Sequence, residues 1–121
     1  MRVGTQLGRA VLAPKYDAIV IGSGIGGLAS AACLAKAGQQ VLVCERHDTV
    51  GGFTHTFSRK QYVWDVGVHY IGDLTLPHAR LRRAFDYISE GQLAWQPLGE
   101  VYDLIEVEGR TYEMVSGRDK L

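Results

Sequence analysis

The chain has 121 residues, 46% hydrophobic and 21% charged, with 13 basic and 13 acidic side chains and a formal net charge of zero. Those values bound it to one small domain of ordinary globular composition, and with a formal net charge of zero nothing argues for a general nucleic-acid or anionic-membrane surface. The two cysteines, Cys33 and Cys44, have no metal-ligand spacing and are expected as free thiols in the core.

Residues 1–15 have no apolar run longer than 10–13, too short for a signal-peptide core, and are expected to form a flexible arm. Nowhere does an apolar stretch approach the ~20 residues of a membrane span. An apolar run at 18–21 then suits a buried strand and leads into Gly22, Gly24 and Gly27, spaced G-x-G-x-x-G, with a small-residue helix pattern after them. In such a motif the first glycine turns the chain out of the strand and the second lets backbone approach a pyrophosphate. The third lets helix pack closely on strand. Free N–H groups at the helix start then hold phosphate without a cationic side chain. Ser23, between the first two glycines, is expected to join them through its backbone. A glycine triplet alone is a weak signal, but its place between strand and helix is the context that supports it.

Gly38 is a plausible end to that helix, and residues 40–44 read as a second buried strand ending at Glu45. Glu45 lies 18 residues past Gly27, near the ~20 at which an acidic residue accepts ribose hydroxyls. A carboxylate there favours FAD or NAD over a 2′-phosphorylated NADP. The bland alternative is a solvated acid at a strand end. Arg46, its neighbour, is counted with the cofactor residues.

After Glu45 and five intervening residues come Gly51 and Gly52, where two adjacent glycines let backbone amides face a phosphate or ring that a Cβ would obstruct. A plain turn before a hairpin is the alternative. Residues 53–57 and 61–64 read as short extended segments joined by a turn at 58–60. The chain returns through Asp65-Val66-Gly67 to His69. His55 and His69 invite a catalytic assignment because histidine is the residue type that most often moves protons near neutral pH, but each reads as a positioning residue before a proton-transfer group. Residues 77–90 predict an amphipathic helix with Leu81, Ala84, Phe85 and Ile88 on one face. Arg80, Arg82 and Arg83 read as a solvated face, with an anion or membrane-surface patch as the alternative, and Gly91 ends the helix. A strand is expected at 93–98, limited by Pro97. A hairpin is expected from 101–107 and 110–115 around Glu108-Gly109, and the start of another helix at 116–121.

Two stretches carry a resemblance. A ribose Glu followed at this distance by Gly-Gly resembles the FAD-dependent amine oxidases and phytoene-dehydrogenase-like enzymes, although Phe53 stands where many of them have Arg. The stretch Gly51-Gly52-Phe53-Thr54-His55-Thr56-Phe57, followed by Trp64-Asp65-Val66-Gly67-Val68-His69-Tyr70-Ile71-Gly72, is similar to the branch containing all-trans-retinol 13,14-reductase. The likeness is specific over residues 16–72. It implies an α/β fold: a Rossmann-type FAD-binding βαβ start of a doubly wound parallel sheet over 16–72. At 73–121 it implies the opening of an antiparallel substrate-domain sheet in an incomplete chain.

The same resemblance implies FAD as cofactor, with NAD or NADP as electron donor to the complete enzyme. It also implies a lipophilic retinoid or carotenoid-like substrate whose carbon–carbon double bond is reduced, desaturated or isomerised. Gly22, Ser23, Gly24 and Gly27 would serve the pyrophosphate, Glu45 the adenosine ribose, and Gly51 and Gly52 the flavin side, with Gly67 and His69 near the flavin. It names no catalytic acid or base. A cytoplasmic or peripheral-membrane location is expected, with membrane attachment left to later segments. Because the sheet is only opening at Leu121, an N-terminal fragment is expected that does not by itself hold flavin tightly. Another oxidoreductase of the amine-oxidase fold is an alternative, as is a non-catalytic prenyl-binding protein resembling the Rab GDP-dissociation inhibitors.

Overall fold

The computed structural model describes residues 3–117, and the chain divides into two compact units, Met1–Gly72 and Asp73–Leu121. In the first, a 3-10 turn at Leu7–Arg9 precedes strand β1 (Ala18–Ile21), helix α1 (Ile25–Lys36) and strand β2 (Val41–Cys44). β1 and β2 pair in parallel, from Ala18 opposite Val41 to Ile21 opposite Cys44. The Gly22 N–H carries the ladder one step further, to the Cys44 carbonyl at 2.7 Å. This return from strand through helix to a parallel neighbour is the βαβ unit that the glycine motif predicts.

The turn from β1 into α1 needs glycine twice. Gly22 has φ +97°, which side chains rarely adopt, and a Cβ on Gly27 would sit 2.1 Å from the Gly22 carbonyl oxygen and 3.4 Å from Val20 Cγ1. The first turn of α1 therefore lies directly on the end of β1. At its other end α1 closes in a Schellman motif. Gly38, at φ +84°, donates to the Ala35 carbonyl at 2.9 Å, and Gln39 donates to that of Leu34 at 3.1 Å.

α1 covers one face of the two strands. Ile19 and Ile21 point away from it and are 62% and 90% exposed, so the apolar run is covered on one face only among the described residues. The described parallel sheet thus has two strands and one helical layer; a second layer is not among them. This geometry also corrects the placement of the cysteines, which are both free and both exposed. Cys44 shares the uncovered face with its register partner Ile21. Cys33 lies about a third of a turn from Gly27 around the helix, off the packed stripe that holds buried Ala31.

After β2, residues 53 and 54 are not extended as expected. Gly51 (φ +118°) and Gly52 (φ +58°) turn the chain into a 3-10 helix at Gly52–Thr54. The Thr54 N–H and hydroxyl both close onto the Gly51 carbonyl, at 3.0 and 2.6 Å. Strands β3 (Thr56–Arg59) and β4 (Tyr62–Asp65) follow as an antiparallel hairpin. Its turn lies at Lys60 and Gln61, with Lys60 at φ +55°, two residues later than 58–60 would place its start.

In the second unit the helix, α2, spans Arg80–Ser89, three residues shorter at its start than expected. Ala79 is extended, leaving Pro77 in a turn that seats Leu74 at 4% exposure. The packed face also differs from the sequence reading. Phe85 is buried while Leu81 is 46% exposed. Arg82 is drawn inward, donating to both Asp86 carboxylate oxygens at 2.9 and 2.8 Å and to the Leu74 carbonyl at 3.0 Å. α2 ends in left-handed Glu90, and Gly91 donates back to Asp86.

No strand forms at 93–98. Trp95 packs edge-on against Phe85, ring centroids 5.1 Å apart, so its ring serves the small core and not a ladder. Strands β5 (Val101–Val107) and β6 (Arg110–Val115) form the expected hairpin, with an irregularity between Val101 and Asp103. Glu108 and Gly109 have φ +50° and +73°, the pair of positive values that a two-residue type I′ turn demands. The helix expected at 116–121 falls largely outside the described residues.

Candidate dinucleotide site

The centre of the first unit is a clasp between the glycine loop and the end of β2. Glu45 Oε2 accepts from the Ser23 backbone N–H at 2.7 Å and from the Ser23 hydroxyl at 2.6 Å. Oε1 accepts from the His47 N–H at 2.8 Å. Ser23 is fully buried, at 0% exposure. The Ser23 hydroxyl, with the His47, Ser23 and Arg46 N–H groups, favours the ionised carboxylate and lowers its pKa from 4.5 to about 2. Glu45 is therefore an anion across the physiological range. Oε1, with one good hydrogen bond, is the oxygen that retains acceptor capacity for an incoming hydroxyl.

The same serine holds the second glycine motif. Gly51 N–H donates to the Ser23 carbonyl at 3.0 Å and lies 3.3 Å from its hydroxyl. Gly24 and Gly51 form a parallel bridge. A Cβ on Gly52 would lie 3.0 Å from Gly24 Cα, so a side chain there would press on the glycine loop. Two motifs 27 residues apart, counted from Gly24 to Gly51, are thus fastened back to back. The Gly-Gly pair is at once a turn before the hairpin and a packing partner of the first motif.

A dinucleotide fits the features present. Gly24 is the N-cap of α1 and supplies no side-chain cap, leaving first-turn N–H groups for an anion. A Cβ built on Gly24 meets nothing within 4 Å, so the loop is open where backbone must approach a phosphate. Gly22, Ser23, Gly24, Gly27, Glu45, Gly51 and Gly52 are all brought together. In this structure, however, the Ser23 N–H expected for pyrophosphate is engaged by Glu45.

The remaining expected residues sit differently. The Arg46 side chain is exposed, and its backbone N–H is a minor contributor to the Glu45 environment. Gly67 packs on Phe53, whose ring would be 2.9 Å from an added Cβ. Val68 donates to the Phe53 carbonyl at 3.1 Å. His69 Nδ1 lies 3.5 Å from the Asp65 carboxylate on an exposed ring. His55 stacks at 5.1 Å on His47 and turns Nδ1 to the Gly52 carbonyl. Sequence reasoning missed the Ser23 hydroxyl and the His47 N–H. A polar side chain inside an otherwise apolar strand-to-helix turn was the signal for the first; the second is a backbone group and leaves no trace in residue type. Among the described residues no cluster of metal-ligating side chains occurs, and no helix is long and apolar enough to cross a membrane.

Residues 20–88 match the family described as NAD(P)-binding Rossmann-like domain. The all-trans-retinol 13,14-reductase of Rattus norvegicus is 50% identical over 108 residues, 86% of this chain and 18% of its own length. A Danio rerio protein named inactive all-trans-retinol 13,14-reductase is 37% identical over 111 residues, 88% of this chain and 18% of its own. Prolycopene isomerase 2 of an Oncidium hybrid cultivar is 48% identical over 64 residues, 53% of this chain and 11% of its own. The chain spans less than a fifth of the length of these curated relatives. A glycine loop at a helix start, an ionised Glu45 at the end of β2, and this match over more than half the sequence lead to one assignment. The chain belongs to the NAD(P)-binding Rossmann-like domain family, among the relatives of all-trans-retinol 13,14-reductase.

Proposed function

We propose that this chain supplies the FAD-binding segment of an oxidoreductase acting on carbon–carbon double bonds of retinoid or carotenoid-like isoprenoids. The observation that carries the reading is the clasp that joins Gly24, Glu45 and the Gly51–Gly52 turn into one surface. Backbone groups of Gly22, Gly24 and Gly27 hold the pyrophosphate, and Glu45 Oε1 accepts a ribose hydroxyl while its charge repels a 2′-phosphate. Gly51 and Gly52 serve the flavin side, with Gly67, His69 and Arg46 around it. Bound FAD supplies hydride transfer at N5, with NAD or NADP as the electron source. This chain's residues bind and orient, and none is assigned a proton-transfer step. The named activities of the retinol-reductase and prolycopene-isomerase relatives support the substrate class.

The test is the full-length protein, purified and assayed for released flavin by chromatography and for turnover of retinoid and carotenoid substrates by their polyene absorbance. FAD with a shift of the polyene band is the expected result. FAD without turnover, as the inactive relative's name illustrates, would remove the catalytic half of the reading. Protein that is folded and holds no flavin would overturn it.

A further inference from the structure

We infer that Ser23 is a positioning residue: buried out of reach of any ligand, it aims the Glu45 carboxylate and fastens the Gly51–Gly52 turn to the glycine loop. The inference rests on the dinucleotide-site reading and assigns Ser23 a role other than phosphate contact. Three observations carry it. Ser23 is 0% exposed, although its unit leaves Ile19 and Ile21 largely open. Both its donors, backbone and hydroxyl, converge on a single oxygen, Glu45 Oε2. Its carbonyl, and less closely its hydroxyl, accept from Gly51. Saturating Oε2 from inside leaves Oε1 as the oxygen presented outward, its orientation fixed before a ribose arrives. A hydrogen bond to a charged acceptor from a buried hydroxyl is among the stronger kind. The other charged or titratable groups about the carboxylate lie on its own loop: Arg46, His47 and Asp48, with His55 stacked on His47. The Gly22–Gly24 side contributes none.

The experiment compares FAD binding by full-length wild-type protein and Ser23→Ala, by flavin fluorescence, from about pH 6 down to pH 4, the window that brackets the ordinary range of a glutamate. Wild-type affinity is expected to stay flat over that range. Ser23→Ala is expected to bind about tenfold more weakly at pH 6 and to lose further affinity as the pH falls, because the hydroxyl that keeps Glu45 ionised is gone. A variant with wild-type affinity and a flat profile overturns the inference while leaving the site reading intact. Wild-type protein that binds neither FAD nor NAD removes the reading itself. Should Ser23→Ala not fold, the titration of the Glu45 side-chain carboxyl in wild-type protein decides, followed by carbon-13 NMR and assigned by its loss in Glu45→Gln. A midpoint well below 4.5 supports the clasp, and an ordinary one overturns it.

Discussion

Replacing Gly27 by alanine tests how tightly α1 is seated on β1. The added Cβ would lie 2.1 Å from the Gly22 carbonyl oxygen and 3.2 Å from its carbon, more than 1 Å inside ordinary contact, and the clash is with backbone, which cannot swing aside as a flexible side chain would. Either the helix start lifts from the strand or the Gly22 turn opens. Overpacking of this kind costs about 1–3 kcal/mol, and contact with rigid backbone places this case at the upper end. Gly26→Ala is the internal control. Gly26 is also in α1, but its Cβ would meet nothing within 4 Å. Both substitutions gain about 0.8–1 kcal/mol of helix propensity, which cancels when the two are compared. Urea denaturation of the cofactor-free protein should therefore show Gly26→Ala at or above wild type and Gly27→Ala about 3 kcal/mol below Gly26→Ala. Equal midpoints for the two variants would refute the close seating.

Other perturbations probe the remaining parts. The folded pKa of Glu45, about 2, lies below its ordinary 4.5. Its hydrogen bonds thus contribute stability that is complete above pH 4.5 and lost as pH falls toward 2. Acid unfolding should steepen in that window, and Ser23→Ala should move the loss to higher pH, read by circular dichroism. Arg82→Ala removes an ion pair in which the Nε–H is shared by both Asp86 oxygens, and with it the Nη1 donor to the Leu74 carbonyl. It should cost about 1–2 kcal/mol in chemical denaturation, with Arg82→Lys recovering under half because an ammonium lacks the planar fork. Glu108, a non-glycine residue at φ +50°, should be improved by Glu108→Gly, raising stability by up to about 1 kcal/mol in a thermal melt.

What was legible in the sequence follows from what is local. β1, α1 and β2 are set by an apolar run, three glycines and a C-terminal glycine, each acting within a few residues, and the structure has them where the pattern puts them. The β5–β6 hairpin is likewise announced by Glu108-Gly109 between two extended runs. Features that depend on a distant partner were less readable. Arg82 looked like a solvated cation until Leu74 and Asp86 supplied acceptors on the packed side. Residues 93–98 have strand composition, but Trp95 found an aromatic edge in Phe85, and among the described residues no strand pairs with this segment. The cysteines were assigned to a core because both lie in apolar stretches, whereas which face is covered is a tertiary fact. At the site, the spacing of Gly27 and Glu45 was readable, but the direction of the Ser23 hydroxyl was not. That direction depends on β2 returning beside β1.

The most direct test of the dinucleotide site is competition on the full-length apoprotein. Flavin fluorescence would follow displacement of FAD by ADP-ribose and by its 2′-phosphorylated form. An ionised Glu45 at the ribose predicts displacement by ADP-ribose, with the 2′-phosphorylated compound at least about tenfold weaker through like-charge repulsion. Equal competition by the two, or none by either, would contradict the placement of a ribose at Glu45.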